Sequence, residues 1–268
     1  MASLRGAAHV LPDFLLVGVQ KGGTTSLYHA LAQHPDVRGV GAKEVFYFDR
    51  QFGRGERWYR CWFPTHGAMA RARTQAPEGV ALTGEASTTY FDHPSVPARV
   101  AALVPEAKIL VVLRDPAERA LSHYFHNRRK GREPLGPLEA FRAGSRRLGG
   151  EVERVLADPA ADSEALAHFG YLRRGHYAEH LARWAEHVPP ERTLVLRSDD
   201  LFARPADTLA RAIAFLGLAP WTPDAFTVRN TGTNRRDVAP EVRAFLAEYF
   251  APHTARLGEW LGAEVGWR

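Results

Sequence analysis

The sequence predicts an α/β fold of three layers, with a central, mostly parallel sheet flanked by helices. Two observations carry this. Residues 14–19 (FLLVGV) and 107–113 (AKILVVL) are short, continuous apolar runs rather than alternating ones, the pattern of strands covered on both faces. Each is followed by a turn and then by residues with helical character, as repeating βα units require.

The remaining elements follow in chain order. Residues 1–12 read as a loose lead-in. After the first strand, residues 20–23 (QKGG) are too rich in glycine for a regular element, and Leu27, Tyr28, Ala30 and Leu31 have helical spacing. The first unit is therefore strand, tight loop, helix. Pro35 ends that helix because it cannot continue it. A turn at 39–41 precedes Lys43-Glu44-Val45-Phe46-Tyr47-Phe48-Asp49, an apolar patch led by a charged pair. Glu44 is there either a surface residue at a strand edge or a carboxylate held in a cleft. Residues 50–75 mix arginine with Trp58, Tyr59, Trp62 and Phe63, which either pack a helix on the core or wall a pocket. Residues 84–91 (GEASTTYF) place Glu85 at a strand end, and 96–103 form an amphipathic helix.

Beyond the strand at 107–113, Asp115 is a good N-cap, Pro116 suits the first helical position, and Glu118 completes a capping box. A helix starts at about Pro116 and runs to about Asn127. Residues 128–170 are rich in Arg, Gly, Pro and Ala with weak periodicity, which suits a basic, partly helical insertion. Helix returns at roughly 176–187, with Leu181 and Trp184 facing inward, and 192–197 (RTLVLR) is another strand. The next helix ends near Leu216, with Gly217 as its stop. Residues 219–238 are loop-like, and 239–262 form a final amphipathic helix or helix pair. The expected organisation is a single domain over 1–268 carrying the insertion at about 128–170.

Composition narrows the function. The net charge is +5 and the pI about 9.5, which suits an anionic ligand. With 35 basic against 30 acidic residues and no helix-turn-helix, zinc-finger or RNA-recognition signature, no nucleic-acid partner is expected. No apolar run approaches the roughly 20 residues of a membrane helix, so no membrane span is expected. The single cysteine, Cys61, excludes an internal disulfide and a cysteine-based zinc site. The first residues hold no signal-peptide apolar core, from which a cytoplasmic protein is expected.

The chemistry concentrates in the first βα loop. A glycine loop opening a helix points backbone N–H groups and the positive end of the helix dipole at one spot, which suits phosphate or sulfate. Lys21 adds a full positive charge, and Thr24, Thr25 and Ser26 add hydroxyl donors. The loop is P-loop-NTPase-like without being an ATP-binding P-loop, which needs G-x-x-x-x-G-K-[ST]. Gly18 to Gly23 gives the glycine spacing, but Thr24 stands where the lysine belongs and Lys21 sits inside the loop. An anion site with no acidic strand end to hold Mg²⁺ fits sulfuryl transfer better than phosphoryl transfer, because the SO₃ group carries less charge. The plain alternative is an ordinary βα turn with a surface lysine. Arg114 lies at the C-terminal end of a parallel strand, where open α/β sheets bind ligands, and a guanidinium grips phosphate bidentately. Ser122, about two turns into the following helix, offers a hydroxyl. Arg235 and Arg236, beside Gly232 and hydroxyl residues, either close over a phosphate or lie in an exposed loop.

With both loops in view, the chain resembles the sulfotransferases that use 3′-phosphoadenosine 5′-phosphosulfate (PAPS). VGVQKGGTTSLY is similar to the family's 5′-phosphosulfate loop, and LRDPAERALSHYFH to its 3′-phosphate segment. QHPDV, KEVFYFD, GEASTTYF, GHYAEHLARW and LVLRSDDLFARPADTLARAIAFLGL are also family-like, so the resemblance runs over roughly 13–128 and 170–262. Within the family it resembles the branch holding heparan-type glycan sulfotransferases and their bacterial relatives.

The resemblance implies roles. Glu44, opening an E-x-x-F-F-D-like patch, is the expected general base. Lys21 stabilises the leaving phosphate; Lys21, Gly22, Gly23, Thr24, Thr25 and Ser26 hold the 5′ end, Arg114 and Ser122 the 3′-phosphate, and Arg235 or Arg236 closes the site. PAPS is the co-substrate, PAP the product, and no metal is expected. His123 is the reserve base, since histidine serves in another branch of the family. The acceptor is a hydroxyl of a carbohydrate or small metabolite. Many glycan members carry E-K-[ST]-P where this chain has Glu85-Ala86-Ser87-Thr88, so a lysine near the reacting centre is missing. The competing readings are a small-molecule kinase on the same scaffold, against which the displaced lysine counts, and a non-catalytic protein that binds nucleotides or anions.

Overall fold

The computed structural model describes residues 8–39, 43–158, 161, 163–227 and 238–267. The first strand, β1 (Phe14–Gly18), is buried at every position. It leads into α1 (Thr24–Leu31), and α2 (Glu56–Arg60) and α3 (His66–Gln75) come before β2 (Gly84–Ala86). Next are α4 (Val96–Leu103), β3 (Lys108–Leu113) and α5 (Pro116–Arg129). The segment expected as an insertion holds α6 (Pro137–Arg142), α7 (Gly144–Leu148), α8 (Glu151–Ala157) and α9 (Glu164–Phe169). Then follow α10 (Tyr177–Ala185), β4 (Thr193–Arg197), α11 (Ser198–Ala203), α12 (Pro205–Leu216) and α13 (Pro240–Leu261).

The four strands form one sheet in the order β2-β1-β3-β4, parallel at every pairing. Continuous apolar strands need cover on both faces, and the helices supply it. Leu15, Val17, Ile109, Val111 and Leu113 point to a core shared with Leu181 and Trp184 of α10 and Leu257 of α13. Phe14, Leu16, Leu110 and Val112 point the other way, to a core shared with α1 and α12. Truncating such a residue, as in Leu15→Ala, costs roughly 2–5 kcal/mol. A third core joins α5, α6 and α13 through Leu121, Phe141 and Leu246.

The capping signals behave as their chemistry requires. The Asp115 carboxylate accepts from Glu118 N at 2.9 Å, and Pro116 opens α5. Gly217 adopts φ 79°, and its successor donates from Leu218 N back to Ile213 O at 3.1 Å, closing α12. The C-terminal stretch is one helix with Pro252 inside it. Of the aromatics at 58–63, Tyr59 stacks on Tyr47 at 4.2 Å and Phe63 is buried, so these two are core residues, while Trp62 is exposed. No described helix is long and apolar enough to cross a membrane.

The strand order matters for function. From β1 the sheet grows to one side through β2 and to the other through β3, so a crevice opens between the C-terminal ends of β1 and β3. The glycine loop leaves the first of these ends and Arg114 the second.

Candidate active site

The loop after β1 is stitched to its neighbour: Val19 N donates to Val112 O of β3 at 3.1 Å. Lys21 takes φ 74°, a left-handed conformation that costs a non-glycine residue on the order of 1–3 kcal/mol. Gly22 is needed for closeness, because a Cβ there would lie 2.4 Å from Val112 O. Gly23 is needed for conformation, with φ 100°. Thr24, Thr25 and Ser26 form the first turn of α1, where no side chain caps the helix and no acidic residue offsets its positive end, worth about half a charge.

Arg114 reaches across from β3. Its Nη1 donates to the backbone carbonyl of Lys21 at 3.1 Å, and Tyr177 holds Arg114 in turn by donating to its carbonyl at 2.9 Å. Burial pushes the Lys21 ammonium below its usual range, and the charges of Arg129 and Arg114 push it further. Among the described residues no carboxylate pairs with Lys21. A half-buried ammonium beside two guanidinium groups is the environment an anion would relieve.

Ser122 is buried on α5. His126 and Arg129 lie four and seven residues on, on the same helical face. His126 is pushed down to about 4 by burial and then by Lys21 and Arg129, so this face looks onto the loop. The sequence reading missed Arg129; the i, i+4, i+7 spacing from Ser122 was the available signal.

Glu44 lies beside the end of β2, where its N–H donates to Ala86 O at 2.7 Å. Its carboxylate receives Lys43 Nζ at 3.0 Å and the Thr88 hydroxyl at 3.1 Å. The side chain is 31% exposed, neither solvated nor sealed in. Glu44 and Phe46 take φ 58° and 54°, so this turn is held in a conformation L residues avoid. What holds it is Glu85, which is fully buried. Glu85 accepts from Tyr59 (2.6 Å), Tyr90 (3.0 Å) and Ser87 (2.8 Å); Ser87 Oγ then accepts from Phe46 N (3.1 Å) and Tyr90 OH from Phe48 N (3.2 Å). Burial pushes the Glu85 carboxyl up to about 7. Ala86, where glycan members carry lysine, packs into the core and is fully buried.

The reserve base does not survive the structure. His123 faces inward on α5, fully buried, with its ring edge-on to Tyr171 at 4.8 Å and Nε2 3.4 Å from Asn127 Nδ2. It is a core histidine, with its charged form strongly disfavoured by burial, and not a helix-surface group able to approach an acceptor. Arg235 and Arg236 lie outside the described residues.

A small cleft, with room for little more than a water, is lined by Thr89, Asp49, Arg50, His93 and the buried Arg174 and by Ser163, Leu166 and Ala167 from the segment around α9. Thr88 and Thr89 connect it to Glu44: the first bonds to Glu44, the second donates to Asp49 at 2.5 Å. Burial raises Asp49 to about 6. Burial also lowers His93 to about 3, helped by Arg99, Arg173, Arg174 and Arg50. Arg174 links three parts: it donates to Gln20 of the glycine loop (3.0 Å) and to Leu166 O (3.0 Å), and lies 3.3 Å from Asp92.

The sequence profile of the sulfotransferase domain matches residues 11–227. The chain belongs to the sulfotransferase family. It is 30% identical over 280 residues to human heparan sulfate glucosamine 3-O-sulfotransferase 3B1, over 96% of this chain and 65% of that protein. It is 30% identical over 281 residues to bovine bifunctional heparan sulfate N-deacetylase/N-sulfotransferase 2, over 94% of this chain and 29% of that protein. The chain thus spans less than two thirds of the length of these curated relatives. Among solved structures, a sulfotransferase from Alicyclobacillus acidocaldarius superposes with a TM-score of 0.65 at 28% identity, covering 96% of this chain and 98% of that one. The α/β three-layer fold expected from the sequence is that of the family. The cytoplasmic expectation is corrected: the relatives are heparan sulfate sulfotransferases, enzymes of the Golgi lumen. They also extend beyond the matched region, so the first residues of this chain were no guide to compartment.

Proposed function

We propose that this chain is a PAPS-dependent O-sulfotransferase acting on a carbohydrate hydroxyl. The observation that carries the reading is the half-buried Lys21 ammonium, without a carboxylate partner among the described residues, its own carbonyl held by Arg114 at the crevice between β1 and β3. One anion is wanted by the loop and α1, and a second by Arg114 and Ser122, which is the charge pattern of a 3′,5′-bisphosphorylated nucleoside. Glu44 takes the acceptor's proton as the acceptor oxygen bonds to sulfur and the bond from sulfur to the 5′-phosphate oxygen breaks. PAP leaves with the added charge, which Lys21, the Gly22 and Gly23 amides and the Thr24, Thr25 and Ser26 turn stabilise. The acceptor approaches the partly exposed Glu44, and the heparan sulfate named for the relatives supports a carbohydrate there. On this reading residues 1–268 are one domain and the 128–170 insertion roofs the cleft.

A second candidate base follows from one observation: Asp49 lines the same cleft with its carboxyl raised to about 6, near a working pH. Calorimetry with PAP, and with ADP plus Mg²⁺, tests the nucleotide. Transfer of labelled sulfate from PAPS to a heparan-type oligosaccharide tests the reaction. PAP binding without ADP binding is expected; tight ADP binding with none for PAP would end the proposal.

A further inference from the structure

Away from the crevice, α10 and α13 meet at a cluster that sulfuryl transfer does not use. His176 caps α10, Glu179 follows one turn later, and His253 comes from α13. His176 Nδ1 is 3.5 Å from one Glu179 oxygen, and His253 Nδ1 is 3.8 Å from the other. The three donor atoms lie within 4.8 Å of one another. The two imidazoles are stacked, centroids 3.8 Å apart, and His176 Nε2 is 2.9 Å from the Tyr249 hydroxyl.

We infer that His176, Glu179 and His253 form a binding site for a divalent transition-metal ion of the Zn²⁺ type, clipping α13 to the start of α10. The donor set decides the class. Two imidazole nitrogens and a carboxylate suit Zn²⁺ and its neighbours, whereas Mg²⁺ and Ca²⁺ take oxygen ligands. Donors around a tetrahedral ion with bonds of about 2.0–2.1 Å stand roughly 3.3 Å apart, so this cluster, whose donor atoms lie within 4.8 Å of one another, contracts on binding. Each ring has to tilt about its Cβ–Cγ bond to bring the ion into its plane, and the exposed Glu179 side chain can follow. Tyr249 supplies the outer hydrogen bond that fixes ring orientation in such sites, leaving His176 Nδ1 toward Glu179.

The opposing charges are Arg256, 4.0 Å from Glu179, and Arg173, whose field reaches His176. A bound ion displaces Arg256 from the carboxylate. The site is independent of the proposed reaction, but its position gives it a role. His176 lies two residues past Arg174, the residue that ties the glycine loop to Asp92. An ion here braces that segment from behind.

The test is calorimetric titration of ZnCl₂ into the chelator-stripped full chain, carrying Cys61→Ser because that exposed thiol offers another ligand. One ion per chain is expected, with a matching rise in the thermal unfolding midpoint. Tyr249→Phe should weaken binding by about 10–100-fold, the range for outer hydrogen-bond partners, and His253→Ala and Glu179→Gln by more. His66→Ala, at an exposed histidine elsewhere, should change nothing. Glu179→Gln keeps the test sharp if His253→Ala fails to fold, since Glu179 is exposed. Absence of saturable binding, or binding unchanged in Glu179→Gln, overturns the assignment; neither outcome bears on PAP binding.

Discussion

The Arg114 guanidinium is bonded to the backbone carbonyl of Lys21 at 3.1 Å, which ties the end of β3 to the glycine loop. Arg114→Lys keeps the charge but loses the planar fork that bonds loop and ligand together. Hydrogen bonds to charged groups contribute roughly 1.5–3 kcal/mol each, so PAP affinity should fall by about tenfold or more. Calorimetry on the variant checks this. Unchanged PAP affinity in Arg114→Lys would mean that the guanidinium is a structural brace only.

Gly22 and Gly53 make a matched pair. A methyl at Gly22 meets Val112 O at 2.4 Å, and backbone on both sides cannot yield without moving the loop. A methyl at Gly53 meets nothing within 4 Å. Gly22→Ala should abolish PAP binding and lower stability by about 1–3 kcal/mol, the usual range for overpacking, while Gly53→Ala should be neutral in both. Urea unfolding and calorimetry on the two variants decide; retained nucleotide binding in Gly22→Ala would show that the loop does not hold the phosphate.

The parts legible from sequence are those where local chemistry and tertiary context agree. Buried parallel strands advertise themselves by unbroken apolar runs, and Asp115, Pro116 and Gly217 announce helix ends through interactions a few residues long. Lys21 and Arg114 stand out as candidates because each follows such a strand. Long-range polar pairing leaves no local mark, and there the sequence fell short. Nothing adjacent to Arg174 reveals that it bonds to Gln20, 154 residues away. His123 gives no local sign that it is buried, with its ring against Tyr171, 48 residues on. Glu85, read as a strand end, is the post to which the Glu44 turn is fastened.

Glu85 gives a pH signature. Its carboxyl is raised by burial from the ordinary range to about 7 in the fold. Between about 4.5 and 7 the folded chain therefore binds a proton that the unfolded chain has released. Stability from this group is present at low pH and is lost as pH rises through that window, on the order of 3 kcal/mol in all. Glu85→Gln cannot ionise. The variant should gain stability relative to the parent as pH rises from 5 to 8, measured by urea unfolding. A difference that stays flat with pH would show that Glu85 is ionised in the fold throughout.

Glu44 and Asp49 are separable by kinetics. Glu44 is partly exposed and held by Thr88 and Lys43 with oxygen lone pairs to spare, the state of a group that has to accept a proton. Asp49 is buried and already accepts from Thr89 and from Arg50 N at 2.8 Å, and its partners serve the cleft wall. Glu44→Gln should lower kcat by about 10²–10⁴-fold, the range for a lost general base, with PAP affinity intact. Asp49→Asn should leave most of the turnover and change the KM for the acceptor, because it reshapes the wall without removing the proton acceptor. The reverse result, a dead Asp49→Asn beside an active Glu44→Gln, would move the base to Asp49 and make the strained Glu44 turn a device for positioning the acceptor.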